Sequence, residues 1–494
     1  MREKVVTGVE LMQGLGLSPA KGFWADAWSQ VVLRRGAMLA LAWLAAIAFI
    51  AVFAPFLASG HPLRLTRLDP SGAPTDISYP LFRFLRSSDV ALPVWALASA
   101  AFVLLGPRAH RGRRLGLALY AGAFLGAAVV AATLFQNRLF SSNPPDWAKT
   151  IRVKPITPWL AALGFAGAAS LLAGGLPVLR SVRLRVTLPL LVALVASLSI
   201  LLTWNRPRIE RFDYPALEAA GQARAVYTLI PFSPGQRFSE LDRLPPGTRL
   251  GVALQHHDDA PTRRRPFIAG TDAFGQDVLA QALHACRLAI SIGFVSTGIA
   301  VTIGVTLGAF AGYFGGKVDL LLQRLIEIFM SVPVLFLLII AAGVLPNEMR
   351  TTYVTMTIIG LVTWTGSARF TRAEFLRLRN QDFVQSANAM GLPLRSILFK
   401  HMLPNGVTPV LVDASFGIAA AILAEATLSY LGLGPIDSPS WGKLLSNATN
   451  AEGQFKWWLA IIPGSAIFLT VLAYNLIGEA LRDAIDPKLK KARV

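Results

Sequence analysis

The stretch QDFVQSANAMGLPLRSILFKHMLPN, residues 381–405, lies between two long apolar segments, yet its residues have the spacing of a helical hairpin. Phe383, Ala387 and Met390 recur at i, i+4 and i+7, which places one apolar stripe on an otherwise polar helix. Gly391 suits the left-handed residue that ends many helices, and the proline two positions later prevents easy continuation. The sequence therefore predicts a first short helix that ends at Gly391.

A second short helix is predicted from about Leu394 towards Leu403, and Pro404 opens the next apolar run. Cytoplasmic loops of membrane proteins carry an excess of Arg and Lys, and basic side chains both precede this hairpin and lie within it. We therefore expect a structured, partly apolar hairpin on the cytoplasmic side that binds another protein. The basic residues are Arg369, Arg372, Arg377, Arg379, Arg395, Lys400 and His401.

The composition is typical of a membrane protein. Of the 494 residues, 54% are hydrophobic and 15% are charged, and the mean hydropathy of +0.52 is too high for an ordinary soluble protein. The formal charge of +19 lies mostly in loops beside apolar runs, so it indicates membrane orientation rather than nucleic-acid binding. The single cysteine, Cys286, excludes an internal disulfide and a metal site built from cysteines.

Apolar runs of roughly twenty residues recur along the chain, each long enough to cross a hydrocarbon core of ~30 Å. The expected fold is an all-α polytopic membrane protein with six core spans and a four-span insert. Its parts are a cytoplasmic amphipathic segment (1–35), a first core span (36–57), the insert with four extra spans (58–204), an extracytoplasmic loop region (205–286) and a five-span core (287–494). The other core spans are expected at 288–312, 320–342, 353–370, 407–431 and 458–481, and the extra spans at 90–105, 115–135, 158–179 and 186–204.

Two loops of the insert set the expected orientation. Residues 108–114 and 180–185 contain arginines and no acidic residue, so the positive-inside rule places both in the cytoplasm. Four extra spans return the chain to the side from which it left. Both termini are therefore expected in the cytoplasm. The connection 205–266 is expected on the outer face, and its Pro- and Gly-containing sequence predicts irregular structure.

Polar residues inside the expected spans are costly and therefore of interest. Glu425 and Asn475 are candidates for a translocation path, or alternatively for hydrogen-bonded contacts between packed helices. For Asn475, and for three others nearer the cytoplasmic ends, helix contacts are the favoured interpretation: Arg324, Glu327 and Asp413. Two prolines inside spans are expected to kink them, and three glycines at every fourth position predict a close-packing face; these are Pro333 and Pro463, and Gly304, Gly308 and Gly312.

The outer region offers one metal-like cluster. His256, His257, Asp258 and Asp259 are adjacent in sequence, but adjacent residues do not converge on one ion without help from elsewhere, so a solvated loop is favoured. Further on, Thr271 is expected to cap a short amphipathic helix, with Asp272 in its first turn and an apolar side formed by Phe274, Val278 and Leu279.

Catalytic machinery is missing from the sequence. The segment AGYFGGKVD has Ala311 and Val318 where a phosphate-binding loop needs glycine and a hydroxyl residue, and it lies between two spans. No Ser/His/acid set or two-histidine metal helix occurs within one plausible site. The chain is therefore not expected to be an enzyme or to bind a cofactor or metal itself, and ATP hydrolysis would have to come from a separate polypeptide.

The loop 381–405 resembles the cytoplasmic coupling loop of ABC-transporter permeases, whose pattern is Glu-Ala-Ala, three residues, Gly, nine residues, Ile-x-Leu-Pro. The matching positions here are Gln385, Ser386, Ala387, Gly391, His401, Met402, Leu403 and Pro404, with the Glu and the Ile replaced. The resemblance implies that Phe383, Ala387 and Met390 contact an ATPase subunit. An ion pair made through the family's Glu would be absent, whereas the turn geometry is retained.

Further landmarks resemble the dipeptide/oligopeptide branch of this permease family, closest to its oligopeptide and peptide-antibiotic uptake subgroup. They are GTDAFGQDVL, AGYFGGKVD, QRLIEIFMSVPVLFL, RAEFLRLRNQDF, AEATLSYLGLG and EALRDAIDPKL, and the resemblance covers roughly residues 18–57 and 270–489. One departure is Gln276, where the family commonly has Arg. The segments ISYPLFRF and YTLIPFSPG resemble parts of that subgroup's outer domain, split by the insert.

The resemblance implies a type I ABC importer transmembrane domain in a bacterial cytoplasmic (inner) membrane. It implies four kinds of partner: a second homologous permease, two ATPase subunits that bind ATP and magnesium, an extracytoplasmic peptide-binding protein and membrane lipid. The implied cargo is di- or oligopeptides. Alternatives are nickel or another small solute, or a secondary transporter that needs no ATPase and would show ionisable residues near mid-membrane.

Overall fold

A computed structural model of the chain describes residues 23–105, 111–139, 157–175, 182–203, 214–238, 240–249, 265–448 and 454–485. The chain divides into two compact units, residues 49–287 and residues 1–48 together with 288–494. In the first half of the chain the helices are α1 (Phe23–Leu33), α2 (Arg35–Leu57), α3 (Pro80–Phe84), α4 (Ser87–Leu104), α5 (Arg111–Leu139), α6 (Thr157–Gly175), α7 (Val182–Thr203) and α8 (Tyr214–Ala219).

The second half of the chain continues this helical architecture. Its helices are α9 (Val278–Phe314), α10 (Gly316–Ser331), α11 (Val334–Gly343), α12 (Thr352–Val362), α13 (Thr365–Leu378), α14 (Asp382–Ala389), α15 (Thr408–Tyr430), α16 (Trp441–Ser446) and α17 (Trp457–Ile485). Among the described residues, six helices are long and apolar enough to cross a membrane, or seven segments if α10 and α11 are one bent span. The chain is thus a multi-pass membrane protein.

Two of the predicted spans are broken in the structure. The span expected at 320–342 is interrupted at Pro333, and α10 and α11 meet there at an angle of 79°. Proline has no amide hydrogen and its ring clashes with the preceding turn, so the break follows from its chemistry. Pro463, in contrast, lies inside the continuous helix α17.

The span expected at 353–370 is also two helices. α12 ends at Val362, and α13 runs on to Leu378, well beyond the predicted end. The predicted span ends too early because several arginines interrupt the apolar pattern of α13. One side of α13 is nevertheless apolar and packed, with Ala368 and Phe375 fully buried, and this face keeps the helix in place.

The expectation of a short helix before 288 is wrong. α9 begins at Val278 and runs without interruption for 37 residues. Its first turn is capped by Asp277, whose Oδ1 accepts from the amide of Ala280 at 2.6 Å. Thr271 is instead buried in the preceding loop, where its hydroxyl donates to the carbonyl of Leu241 at 2.6 Å.

The unit formed by residues 49–287 also contains short strands, which the expected all-α fold did not include. β1 (Arg64–Leu68) lies between β2 (Pro74–Ser78) and β3 (Ala223–Val226) in an antiparallel sheet of order β2-β1-β3. β4 (Thr248–Arg249) pairs with β5 (Pro266–Phe267). Because β1 and β3 lie on opposite sides of the helices α4–α7 in sequence, the segments before and after these four helices form one sheet.

The insert forms a helix bundle with its own core. α4, α5, α6 and α7 enclose two clusters of small and branched side chains drawn only from residues 91–201. The first and last residues of the bundle meet in space: the hydroxyl of Ser87, which begins α4, lies 2.6 Å from that of Thr203, which ends α7. α4 and residues 114–135 of α5 pass the length and apolarity criteria for a span, and residues 188–203 of α7 form a shorter apolar helix.

In the unit that contains residues 288–494, the glycine pattern predicts the packing correctly. A Cβ on Gly304 would lie 2.6 Å from the carbonyl oxygen of Trp364, and one on Gly308 would lie 2.4 Å from that of Ala368. α9 and α13 therefore pack with their backbones close together. In the same unit, α1 packs on α17 and Arg34 pairs with Asp483 at 2.7 Å.

Candidate functional site

The loop 381–405 folds as the hairpin that its sequence predicts. α14 ends at Ala389, Gly391 has a φ of 69°, and its amide donates to the carbonyl of Asn388 at 2.9 Å. Leu392 follows with an amide that reaches the carbonyl of Ala387 at 3.2 Å. These bonds satisfy carbonyls at the helix end, as left-handed helix caps generally do.

The second helical segment of the loop is longer and less regular than predicted. Its parts are Leu394–Ser396, a π-helical stretch Ile397–Met402 and Leu403–Gly406. A π-helical turn inserts an extra residue per turn and is often found at functional positions. Here it keeps Ile397, Leu398 and Met402 on one buried side, because these three are at most 2% exposed.

The buried side of the hairpin forms a core with its own chain. Val384, Ala387, Leu398 and Met402 pack with Phe375 in one cluster. Ala309 and Leu378 complete this core, so the hairpin lies against the last turns of α9 and α13.

The outward side carries the remaining predicted contact residues. Phe383 is 39% exposed and Met390 is 70% exposed, whereas Ala387 is 1% exposed. The predicted contact of Ala387 with a partner stays a prediction, and burial of this side chain in the cluster shared with α9 and α13 disfavours it. Among the other predicted loop residues, Leu403 is half-buried, and four are exposed, namely Gln385, Ser386, Gly391 and Pro404.

Sequence reasoning missed the residues that attach the hairpin. Val384, rather than Phe383, shares the buried face with Ala387, a spacing of i and i+3 that was visible in the sequence. The hydroxyl of Tyr313 donates to Asn388 at 2.9 Å. No sequence signal links these two positions, because they are 75 residues apart.

A bidentate ion pair joins α13 to α10. The guanidinium of Arg372 on α13 binds both carboxylate oxygens of Asp319 on α10, with an Nη2–Oδ2 distance of 2.7 Å. Planar two-point pairs of this kind fix the relative position of two helices better than a single contact does. α13, on which the hairpin packs, is thus itself fixed to α10.

Glu425 is positioned as a helix contact. Its side chain is 3% exposed, and Oε1 accepts from the hydroxyl of Ser429 at 2.5 Å. Ser440, which caps α16, is also hydrogen-bonded to this carboxyl group. The structure therefore brings Glu425 together with the loop before α16, whereas Asn475 is exposed on α17.

The three remaining polar candidates also make contacts between or within helices. Asp413 accepts from the hydroxyl of Ser367 at 2.7 Å, which joins α15 to α13. Arg324 and Glu327 form an exposed pair within α10. The cluster His256–Asp259 lies outside the described residues, and within the described ranges no three His, Cys, Asp or Glu side chains are arranged to hold a metal ion.

Two family models match the chain. Residues 304–491 match the binding-protein-dependent transport system inner membrane component, and residues 22–71 match the N-terminal transmembrane domain of oligopeptide transport permease C. The first match contains the hairpin, Glu425 and α17. The stretch between the two matches, residues 72–303, contains the inserted bundle.

Curated relatives agree with these matches. The chain is 39% identical over 230 residues to the oligopeptide transport system permease protein OppC of Haemophilus influenzae, which covers 46% of this chain and 73% of the relative. It is 36% identical to OppC of Bacillus subtilis, with 48% and 76% covered. It is 33% identical to the di/tripeptide transport system permease protein DppC of Pseudomonas aeruginosa, with 53% and 82% covered.

Identity at this level over about three quarters of a relative, with a hairpin that keeps the spacing of its Gly and its Leu-Pro, is a family relationship. Both family-model matches lie outside the bundle α4–α7, and the match over residues 304–491 contains the loop 381–405. This chain belongs to the family of binding-protein-dependent transport system inner membrane components, as a transporter permease.

Proposed function

We propose that the chain is one permease subunit of an ATP-driven importer and forms half of a translocation path for di- or oligopeptides. The support for the cargo is that the relatives above are named as oligopeptide or di/tripeptide permeases. Their names favour peptides over nickel or another small solute. The partners would be a second related permease, two ATPase subunits and an extracytoplasmic peptide-binding protein.

The observation that carries the proposal is the two-sided hairpin. Its inner side is packed on α9 and α13, and its outer side leaves Phe383 and Met390 exposed. In the proposed mechanism ATP and magnesium bind to the partner ATPase subunits, whose closure displaces the hairpin. Because the hairpin is packed on two helices, the displacement would tilt them and alternate access to the path.

This mechanism sets the orientation in the membrane. The hairpin must face the cytoplasm, since that is where ATP is available, and both termini would lie on the same side. The membrane would be the bacterial cytoplasmic (inner) membrane. The Arg-containing loops of the insert support the same orientation.

The test is co-purification of the full complex from mild detergent with a Met390→Glu variant. A charge at this exposed position should remove the ATPase subunits from the purified complex while the chain itself stays in the membrane at its normal level. Met349→Glu is the matched control, because Met349 is 50% exposed and lies outside the hairpin. An ATPase stoichiometry that Met390→Glu leaves unchanged would contradict the proposed contact.

A further inference from the structure

The first core span, α2, has a proline near its outer end. Pro55 lies inside the helix, where it has no amide hydrogen to donate to the carbonyl of Ala51 one turn earlier. In a hydrocarbon environment a carbonyl that has lost its helical donor must find another one, since no water is available there. The residue that donates a hydrogen bond to the carbonyl of Ala51 therefore belongs to a helix that stabilises α2.

Arg287 on α9 is that donor. Its Nε donates to the carbonyl of Ala51 at 3.0 Å. Its Nη2 lies 3.4 Å from the carbonyl of Val52. One turn earlier on α9, Nε2 of His284 lies 2.9 Å from the carbonyl of Ala58, just after α2 ends. Two consecutive turns of α9 therefore bind backbone carbonyls on either side of Pro55, one in α2 and one just after it.

The same arginine also binds the insert. Nη1 of Arg287 pairs with Oδ1 of Asp89 in the first turn of α4. The carboxylate side chain is 8% exposed, and its other oxygen accepts from the amide of Arg86 at 2.7 Å. The guanidinium of Arg287, a residue of α9, thus donates from three separate N–H groups to acceptors on two other helices, α2 and α4.

We propose that Arg287 is a positioning residue: it replaces the hydrogen bond that α2 loses at Pro55, and the inserted bundle is attached to the permease at this same side chain through Asp89. The inference adds to the proposed function a specific residue that holds the outer end of the first core span. Arginine suits the role because its planar guanidinium donates in several directions and stays charged.

The proposal predicts an unusual rescue. Replacing Arg287 by Met leaves the carbonyl of Ala51 without a donor, whereas Pro55→Ala restores an amide that donates to it within the helix. The substitutions are made in an Asp89→Asn background, so that no carboxylate is left unpaired. In that background Arg287→Met should lower peptide uptake about tenfold, and added Pro55→Ala should restore most of it. Pro55→Ala alone should change uptake little.

Arg324→Met is the matched control, because in the part of the chain that the structure describes Arg324 forms an ion pair with Glu327 on its own helix, α10, and Pro55→Ala should not alter its effect. Additive losses from Pro55→Ala and Arg287→Met, or full uptake by the Arg287→Met variant, would overturn the proposal. If that variant fails to reach the membrane, restoration of its level by Pro55→Ala supports the proposal and failure to restore it counts against it.

Thermal unfolding of the purified variants separates this inference from the proposed function on which it rests. The same rescue should appear in the midpoint of unfolding even if the complex were to transport no peptide. Rescue in unfolding without uptake in the unmodified complex would contradict only the proposed function. Uptake in the unmodified complex without rescue would contradict only the role of Arg287.

Discussion

Gly391 forms the turn of the hairpin of residues 381–405 with a φ of 69°, and a Cβ at this position would meet no other heavy atom within 4 Å. A substitution there is therefore strained by the backbone alone. Valine, which is β-branched, disfavours this conformation strongly, at a cost of roughly 1–3 kcal/mol or more. The strain would be relieved by changing the angle between α14 and the second part of the loop.

Gly391→Val should therefore lower peptide uptake by at least about tenfold while the chain reaches the membrane normally. The measurement is uptake per unit of membrane-inserted chain, together with the ATPase activity of the complex. Gly432→Val is the matched control, because Gly432 has a φ of 75° and equally open surroundings but lies at the end of α15. Equal losses from the two variants would show that the effect is general strain and not uncoupling.

Asp277 is expected to make the free energy of unfolding depend on pH. Burial raises the pKa of its carboxyl group from 3.8 to about 7. Between these values the folded chain binds a proton that the unfolded chain has released, so the free energy of unfolding decreases as the pH rises through the window. The contribution, on the order of a few kcal/mol, is fully present below the lower value and lost as the pH passes the upper one.

Asp277→Asn should remove this dependence while keeping the cap, because the Asn oxygen can accept from the amide of Ala280 as Asp Oδ1 does. The measurement is the midpoint of thermal unfolding of both proteins at values between roughly pH 5 and pH 8, a range that includes the raised pKa of Asp277. The variant should gain stability relative to the natural chain at the alkaline end. A parallel pH profile for both proteins would contradict the assignment.

At the scale of elements, the packing of α9 on α13 is the most sharply defined contact. The carbonyl of Ala368 occupies the space that a side chain on Gly308 would need. Gly308→Leu should destabilise the chain by about 1–3 kcal/mol or more, since an overpacked interface must separate. Gly298→Leu on the same helix is the control, because a Cβ there meets nothing within 4 Å. Equal destabilisation, measured by thermal unfolding, would contradict the proposed packing.

Sequence reasoning was most successful where local chemistry decides the structure. The end of α14 at Gly391 and the close face of Gly304 and Gly308 follow from single residues and short spacings. The break at Pro333 was predicted as a kink, but its 79° angle was not, because the angle depends on packing partners distant in sequence. The role of Arg287 depends on residues more than 190 positions away and left no local signal.

The strands and the buried face of the hairpin were missed for different reasons. β1 and β3 are short and separated by the whole insert, so neither shows enough alternation to be detected alone. In α14, both Phe383 and Val384 are apolar, and periodicity alone does not say which of them faces the chain and which faces outwards. Only the position of α9 and α13 settles that choice.

At the scale of the whole molecule, the insert behaves as an added module. Its ends meet at Ser87 and Thr203, its core is its own, and β1 pairs with β3 across it. Removing residues 88–202 and joining Ser87 to Thr203 through a short Gly-Ser linker should therefore leave the three-stranded sheet intact and the chain in the membrane. Protease resistance and membrane level measure this outcome, and loss of the shortened chain by aggregation would contradict it.

The central claim is that this chain moves cargo only when partner ATPase subunits act on the hairpin of residues 381–405. The most direct test is peptide uptake by vesicles that contain either this chain alone or the complete complex with its second permease, ATPase subunits and binding protein. We predict uptake only by the complete complex, only with ATP and magnesium, and its loss when Met390 is replaced by Glu. Uptake by the chain alone, or ATP-independent uptake by the complex, would contradict the account.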